Sequence, residues 1–187
     1  MSERDPLIAL DAMGGDNAPG VTVAGAVEAA RDLDVRVALV GRPEKLTVVA
    51  ASEVIEMDEQ PAKAARQKKD SSMVVGLRLV KQGEADAFVS AGNTGAVMAA
   101  AIMYLGRIKG IERPTLAGLM PLSGKLTLFL DVGANADCKP AYLLQFAEMA
   151  SAYMERVWKV RRPRVALLNI GEEATKGSTL AQETEAH

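Results

Sequence analysis

Residues 7–19 read LIALDAMGGDNAP. Four apolar residues run into an aspartate, two glycines, a second aspartate, an asparagine and a proline, which is the pattern of a short buried strand entering a tight turn. Pro19 closes the turn with a φ suited to the first turn of a helix. Beyond it Val21, Ala24 and Val27 fall on one face at helical spacing. Strand, glycine turn and helix together form the repeating unit of α/β domains with parallel sheets.

The same unit recurs along the chain. Residues 35–40 make a second strand, closed by Gly41. Residues 61–69 are the most polar stretch and fit an exposed loop or helix. Ser71 or Ser72 can cap a helix that buries Met73, Leu77 and Val80. Residues 87–89 feed SAGNTG at 90–95, and a small-residue helix runs on to about residue 105. Residues 115–120 and 126–130 read as two more strands, the second entering DVGANADCKP at 131–140. A long helix then places Leu143, Ala147, Ala150, Met154, Val157 and Trp158 on one stripe, and a last strand at 165–168 enters NIGEEATKG at 169–177. No stretch reads as a linker, so a single α/β domain with a mostly parallel sheet is expected over residues 1–187.

Composition narrows the chemistry. The 187 residues are 49% hydrophobic and 25% charged with a net charge of −2, so no basic field draws in nucleic acid. Aromatic residues are only 4%, too few for base-stacking platforms. The amino terminus carries no secretory signal, and the longest apolar run, 96–105, is half of the roughly 20 residues a membrane span needs. Cys138 is the only cysteine and His187 the only histidine, so no internal disulfide, histidine-based nucleophile relay or histidine-rich zinc site is available. These features fit a cytoplasmic protein. No metal or cofactor is expected, and the loops match neither GxxxxGK followed by Ser or Thr nor GxGxxG.

In an open parallel sheet, loops that leave the strands share one edge, and the helices after them aim free N–H groups into a common crevice. Four glycine loops gathered there would grip a phosphate-sized anion through backbone. Each loop alone is explained as well by a tight turn. The candidate backbone donors and close-approach positions are Gly14, Gly15, Gly92, Gly95, Gly133, Gly171 and Gly177. Asp11 and Asp16 bracket the first loop and could orient a substrate or hold a lysine, although Asp16 or Asn17 could equally cap the next helix. Asn93 and Thr94 offer donors or a cap. Asn135 stands with Asp131, Asp137 and Lys139 in a charge network, and Cys138 lacks a histidine to activate it. Glu172, Glu173 and Lys176 precede Gly177. A lysine opposes the dipole at a helix start and is easier to explain if it meets an anion. Lys176, Asn93 and Asp11 are thus the candidate catalytic groups, with Asp16, Thr94, Asn135 and the glycines binding substrate. The basic run Lys63, Arg66, Lys68 and Lys69 is a solvated face or a dock for an acidic partner. Arg161, Arg162 and Arg164 form a weaker basic cluster.

The segments DAMGGDNAP, SAGNTG, DVGANADCKP and LLNIGEEATKG, with ASEVIEMDEQPAKAARQKKDSSM at 51–73 and GRIKGIERP at 106–114, resemble the successive signatures of the acyl carrier protein–phosphate acyltransferase family. The likeness covers nearly the whole chain in order. It implies a three-layer α/β/α fold similar to the isocitrate and isopropylmalate dehydrogenases, and a homodimer. It implies acyl transfer from acyl–acyl carrier protein to inorganic phosphate, with Lys176 in the place of the family's catalytic lysine. It also implies peripheral membrane association and delivery of acyl phosphate to a glycerol-phosphate acyltransferase. Asn17 stands where the family usually has histidine, and Ala136, Ala174 and Thr175 are milder departures. The family continues beyond the lysine loop, so the chain is expected to be the amino-terminal part of a longer fold. Two alternatives remain at this point: a non-catalytic chain that binds the carrier protein, and a nicotinamide-dependent dehydrogenase of related fold.

Overall fold

The structure, a computed structural model, describes residues 5–43, 49–122, 124–171 and 176–185. Glu172, Glu173 and His187 lie outside the described residues. The chain forms two compact units, the first closing at Gly106 and the second opening at Arg107.

In the first unit β1 (Leu7–Asp11), β2 (Arg36–Gly41), β3 (Val49–Ala50) and β4 (Ala87–Val89) make one parallel sheet in the order β3-β2-β1-β4. Helix α1 (Gly20–Asp32) carries the chain from β1 to β2 and packs on both. Helices α2 (Pro61–Gln67) and α3 (Ser72–Gln82) precede β4, and α4 (Thr94–Tyr104) follows it. From β1 the chain winds one way to β2 and β3, then crosses back to β4 on the far side of β1. Right-handed crossovers in opposite directions put their helices on opposite faces. The result is the expected mostly parallel sheet with helices on both sides. The reversal leaves a topological switch point between β1 and β4.

The two faces pack unequally. Ala9, Val40, Ala51 and Ala85 form a cluster with Leu79, Val80 and Phe88. Phe88 also reaches the buried groups around Met73 and Ala96 and those around Val74, Leu77 and Ala100, so one ring joins three parts of the core. Helix α3 is capped as the sequence predicts: the Ser71 hydroxyl oxygen accepts from the Val74 N–H at 3.4 Å. Helix α1 forms where expected but is turned. Val21 and Val27 are 65% and 53% exposed, and the buried residue is Ala26. The inward stripe is Thr22, Ala26 and Ala29, also at helical spacing, and the Thr22 hydroxyl fixes that face inward, within 3.0 Å of the Ala12 carbonyl and 2.9 Å of Pro19's.

In the second unit β5 (Ala117–Leu122) and β6 (Lys125–Leu130) pair antiparallel, from Ala117 opposite Leu130 to Leu122 opposite Lys125. They occupy the predicted places but not the predicted parallel sheet. Only two residues join them, and a parallel pair needs a crossover of a dozen or more. Helix α5 (Pro140–Arg156) packs on β6 and on α6 (Thr179–Glu185). It buries Phe146 and Met154 but ends before Val157 and Trp158, which are largely exposed. The strand expected at 165–168 is not formed. The segment pairs with no strand among the described residues, and Leu168 and Ile170 are 87% and 84% exposed.

Candidate functional site

Strand β1 ends in Asp11, whose side chain is fully buried. One carboxylate oxygen accepts from the Met13 N–H at 3.0 Å and the other from the Ser90 hydroxyl at 2.8 Å. Ser90 follows β4, the neighbour of β1, and its oxygen also accepts from the Gly92 N–H at 3.0 Å. A continuous chain of hydrogen bonds therefore joins the loop after β1 to the loop after β4, at the switch point. The backbones are as close as the chemistry allows. A Cβ on Gly14 would lie 2.4 Å from Asp11 Oδ2 and 2.9 Å from Ser90 Oγ, and one on Gly92 would lie 2.5 Å from Met73 Cε. Glycine is required there by proximity.

Asn93 is buried and caps α4, its side-chain oxygen accepting from the Ala96 N–H at 3.0 Å. Its NH2 group faces the carbonyl oxygens of Glu56, Met57 and Glu59 at 3.3, 3.1 and 3.2 Å. Residues 56–59 are thereby fixed beside the first glycine loop. Lys68 adds a second tether, donating to the Val54 carbonyl at 2.6 Å and pairing with Glu59. The Glu56 N–H and the Lys68 ammonium hold the Glu59 carboxyl below its ordinary range. Between this segment and the loop lies an open cleft of about 370 Å³, lined by Met13, Gly15, Asp16, Ile55, Glu56, Met57 and Asp58. Asp16, Glu56 and Asp58 are exposed, so its rim is acidic. Among the described residues no three His, Cys, Asp or Glu side chains stand close enough together to hold a metal ion.

The fold thus brings Asp11, Gly14, Gly15, Asp16, Gly92, Asn93, Thr94 and Gly95 to one region of the first unit. Thr94 is exposed on the first turn of α4, and Gly95 lies against Pro61. Asp16 caps no helix: Pro19 is the N-cap of α1 and supplies no side-chain bond, leaving Asp16 in the cleft. Gly133, Asn135, Gly171, Lys176 and Gly177 belong to the second unit. The expectation that four loops leave one parallel sheet holds for two, because the third leaves an antiparallel hairpin and the fourth an unpaired segment. Lys176 is exposed, with its carbonyl oxygen accepting from the Asn169 amide at 3.2 Å. In the basic run Lys63, Arg66 and Lys69 are exposed while Lys68 is taken up by Glu59.

Asn135 is committed to the Asp131 network. Its N–H donates to Asp131 Oδ2 at 2.6 Å and its side-chain amide to the Pro114 carbonyl at 3.0 Å. Asp131 Oδ1 accepts from the Leu116 N–H at 2.8 Å and the Thr115 hydroxyl at 3.1 Å. Desolvation alone would raise the Asp131 pKa, but the N–H groups of Leu116, Asn135 and Ala134 with the Thr115 hydroxyl outweigh it and bring it below the usual value. Desolvation, with the carboxylates of Asp131 and Asp137, pushes the Cys138 thiol up, so it stays protonated and a poor nucleophile at neutral pH.

The sequence reading passed over Ser90. Its signal lies in the register: Leu10 pairs with Val89, which sets the next residues, Asp11 and Ser90, side by side. That pairing is a tertiary fact.

The unit is a doubly wound α/β domain with two glycine loops interlocked at its switch point, the place where open α/β sheets in general take their ligands. The family model described as "Fatty acid synthesis protein" matches residues 7–187, and the chain belongs to that family. It is 56% identical to a phosphate acyltransferase of Heliobacterium modesticaldum over 92% of this chain and 56% of that one. It is 52% identical to a phosphate acyltransferase of Desulfitobacterium hafniense over 95% of this chain and 57% of that one. The chain therefore spans little more than half the length of these curated relatives. A solved structure, the EutD phosphotransacetylase from Staphylococcus aureus, superposes with a TM-score of 0.57 at 20% identity over 80% of this chain and 53% of that one, which shows a shared fold.

Proposed function

We propose that the chain is the amino-terminal part of an acyltransferase that moves a fatty acyl group from acyl–acyl carrier protein to inorganic phosphate. The observation that carries the reading is the pair of glycine loops locked together at the switch point, in a chain whose relatives are named phosphate acyltransferases. Phosphate is itself the nucleophile: one of its oxygens attacks the thioester carbonyl carbon, a C–O bond forms, the C–S bond breaks, and the carrier thiolate leaves and takes up a proton. No histidine relay is needed. The protein has to hold the dianion, align it and stabilise the oxyanion.

On this reading the backbone N–H groups of Gly14, Gly15, Thr94 and Gly95 serve the anion. Those of Thr94 and Gly95 open α4 and have no intrahelical partner. Lys176, in the second unit, is the cation that the resemblance to the family assigns to the chemistry. Asn93 and Asp11 act as positioning residues, since the amide hydrogens of Asn93 and both oxygens of Asp11 are already engaged. Gly92, Gly133, Asn135, Gly171 and Gly177 shape the loops, and Asp16 belongs to the cleft beside them. The exposed cations Lys63, Arg66 and Lys69 dock the acidic carrier protein. The complete protein is cytoplasmic, works as a homodimer, associates peripherally with the membrane and passes acyl phosphate to a glycerol-phosphate acyltransferase. Among the described residues no helix is long and apolar enough to cross a membrane.

The test is acyl phosphate formation from acyl–acyl carrier protein and phosphate by the full-length chain. Lys176→Met is expected to lower turnover by about 100-fold or more. Unchanged turnover removes Lys176 from the chemistry, and absence of product from the parent removes the reading.

A further inference from the structure

We propose that Ser90 is a positioning residue that sets the spacing of the two glycine loops for phosphate, an inference that rests on the phosphate reading above. A serine hydroxyl has one proton and two lone pairs. The proton goes to buried Asp11 and a lone pair takes the Gly92 N–H, so the direction of both bonds is fixed. Asp11 is in turn held by the Met13 N–H. One oxygen atom therefore connects the turn after β1 to the peptide run that opens α4.

The consequence falls on the anion donors. The Gly92 N–H is drawn to Ser90 and the Ala96 N–H to Asn93 Oδ1, which leaves the Thr94 and Gly95 N–H groups to serve a ligand. Two side chains, Ser90 and Asn93, thus fix both ends of that short run. Gly14 and Gly92 have no side chains to wedge the loops at a set distance, so the hydrogen bonds must do it. The polar side-chain atoms nearest to a Cβ at Gly14 or Gly92 are Asp11 Oδ2 and Ser90 Oγ, the two partners of this hydrogen bond. Without the Ser90 oxygen the loops keep their packing but lose their alignment, and a rigidly held donor set is what binds an anion without reorganisation.

The experiment compares the full-length parent with Ser90→Ala and Ser90→Thr. Inorganic phosphate is titrated by calorimetry, steady-state rates are measured with an acyl carrier protein donor, and amide hydrogen exchange is followed over residues 12–16 and 91–95. Ser90→Ala is expected to weaken phosphate binding about tenfold, the value of one buried hydrogen bond. It should raise the KM for phosphate, leave the KM for the acyl donor unchanged and speed exchange in both loops. Ser90→Thr, which keeps the oxygen, is expected within about threefold of the parent. If the alanine variant does not fold, Ser90→Cys, similar in shape but a poor hydrogen-bonding group, carries the same expectation. Parent-like phosphate affinity in the alanine or cysteine variant overturns the role of Ser90 alone, as does slower turnover with both KM values unmoved. A parent that binds no phosphate overturns the phosphate reading and this role together, even where faster exchange shows that the latch exists.

Discussion

Asp11 and Asp131 are two aspartates with the same place in the chain pattern and different surroundings. Each follows an apolar strand and opens a glycine loop. Asp11 is fully buried and accepts from Met13, two residues on, and from Ser90, 79 residues away. Asp131 is partly buried and takes its donors from Thr115 and Leu116, just before its own hairpin, and from Asn135 in its own loop. Topology makes the difference. Parallel neighbours put the exits of distant strands side by side, so a loop there meets a second loop. A hairpin puts the exit of its second strand beside the start of its first, so its loop meets only local chain. Glycine richness is common to both loops, but only the first forms part of a crevice made from distant segments.

The comparison breaks most visibly at the glycines. Gly14→Ala would place a methyl group against Asp11 and Ser90, and is expected to lower stability by about 2–4 kcal/mol. Gly133 has open space around it and only its φ of +119° against substitution. Gly133→Ala should therefore cost about 1–2 kcal/mol. Urea midpoints followed by circular dichroism separate the two. Equal costs would mean that the first loop can open without loss, contrary to an interlocked crevice.

This contrast also marks what the sequence could reveal. The alternation of strand, glycine turn and helix gave the α/β class, because buried runs and turn residues are local signals. The cap at Ser71 was legible for the same reason. The face of α1 was not, since Val21-Ala24-Val27 and the stripe beginning at Thr22 share one period and only the sheet beneath chooses between them. The antiparallel pairing of β5 and β6 was available in the short connection, since even the five residues between the expected strands 115–120 and 126–130 are too few for a parallel crossover. Of the site, Asp11, Gly14, Gly92 and Asn93 stood out as loop residues. Their division of labour did not, because Asn93 meets carbonyls 34 to 37 residues away. Ser90 became visible only once strand register was known.

Acid sharpens the comparison in the second unit. The pKa of Asp131 lies below its ordinary value of 3.8 in the folded chain. Its contribution to stability is then fully present above the unfolded value and is lost as pH falls through the folded one. Trp158 is the only tryptophan and lies in this unit, so its fluorescence follows unfolding there. The parent should show a loss of stability as pH falls below about 4 that Asp131→Asn lacks. At neutral pH that variant should be about 1 kcal/mol less stable, because one acceptor oxygen is replaced by a donor facing N–H groups. An identical acid limb in both proteins would show that the Asp131 network adds no charge-dependent stability.

The smallest effect tests how far the Asp131 charge reaches. Desolvation is the main reason the Cys138 pKa is raised, with Asp131 and Asp137 adding to it and Arg113 opposing. Alkylation by iodoacetamide depends on the thiolate, so at pH 8 Cys138 should react several-fold more slowly than a free thiol of ordinary pKa. Asp137→Asn removes one like-charge contribution and leaves the burial, so the rate should rise by only about twofold. A tenfold rise would make the carboxylates, not desolvation, the dominant cause. It would also mean that this loop, like the crevice of the first unit, is organised by a specific polar contact, which would erase much of the distinction between Asp131 and Asp11.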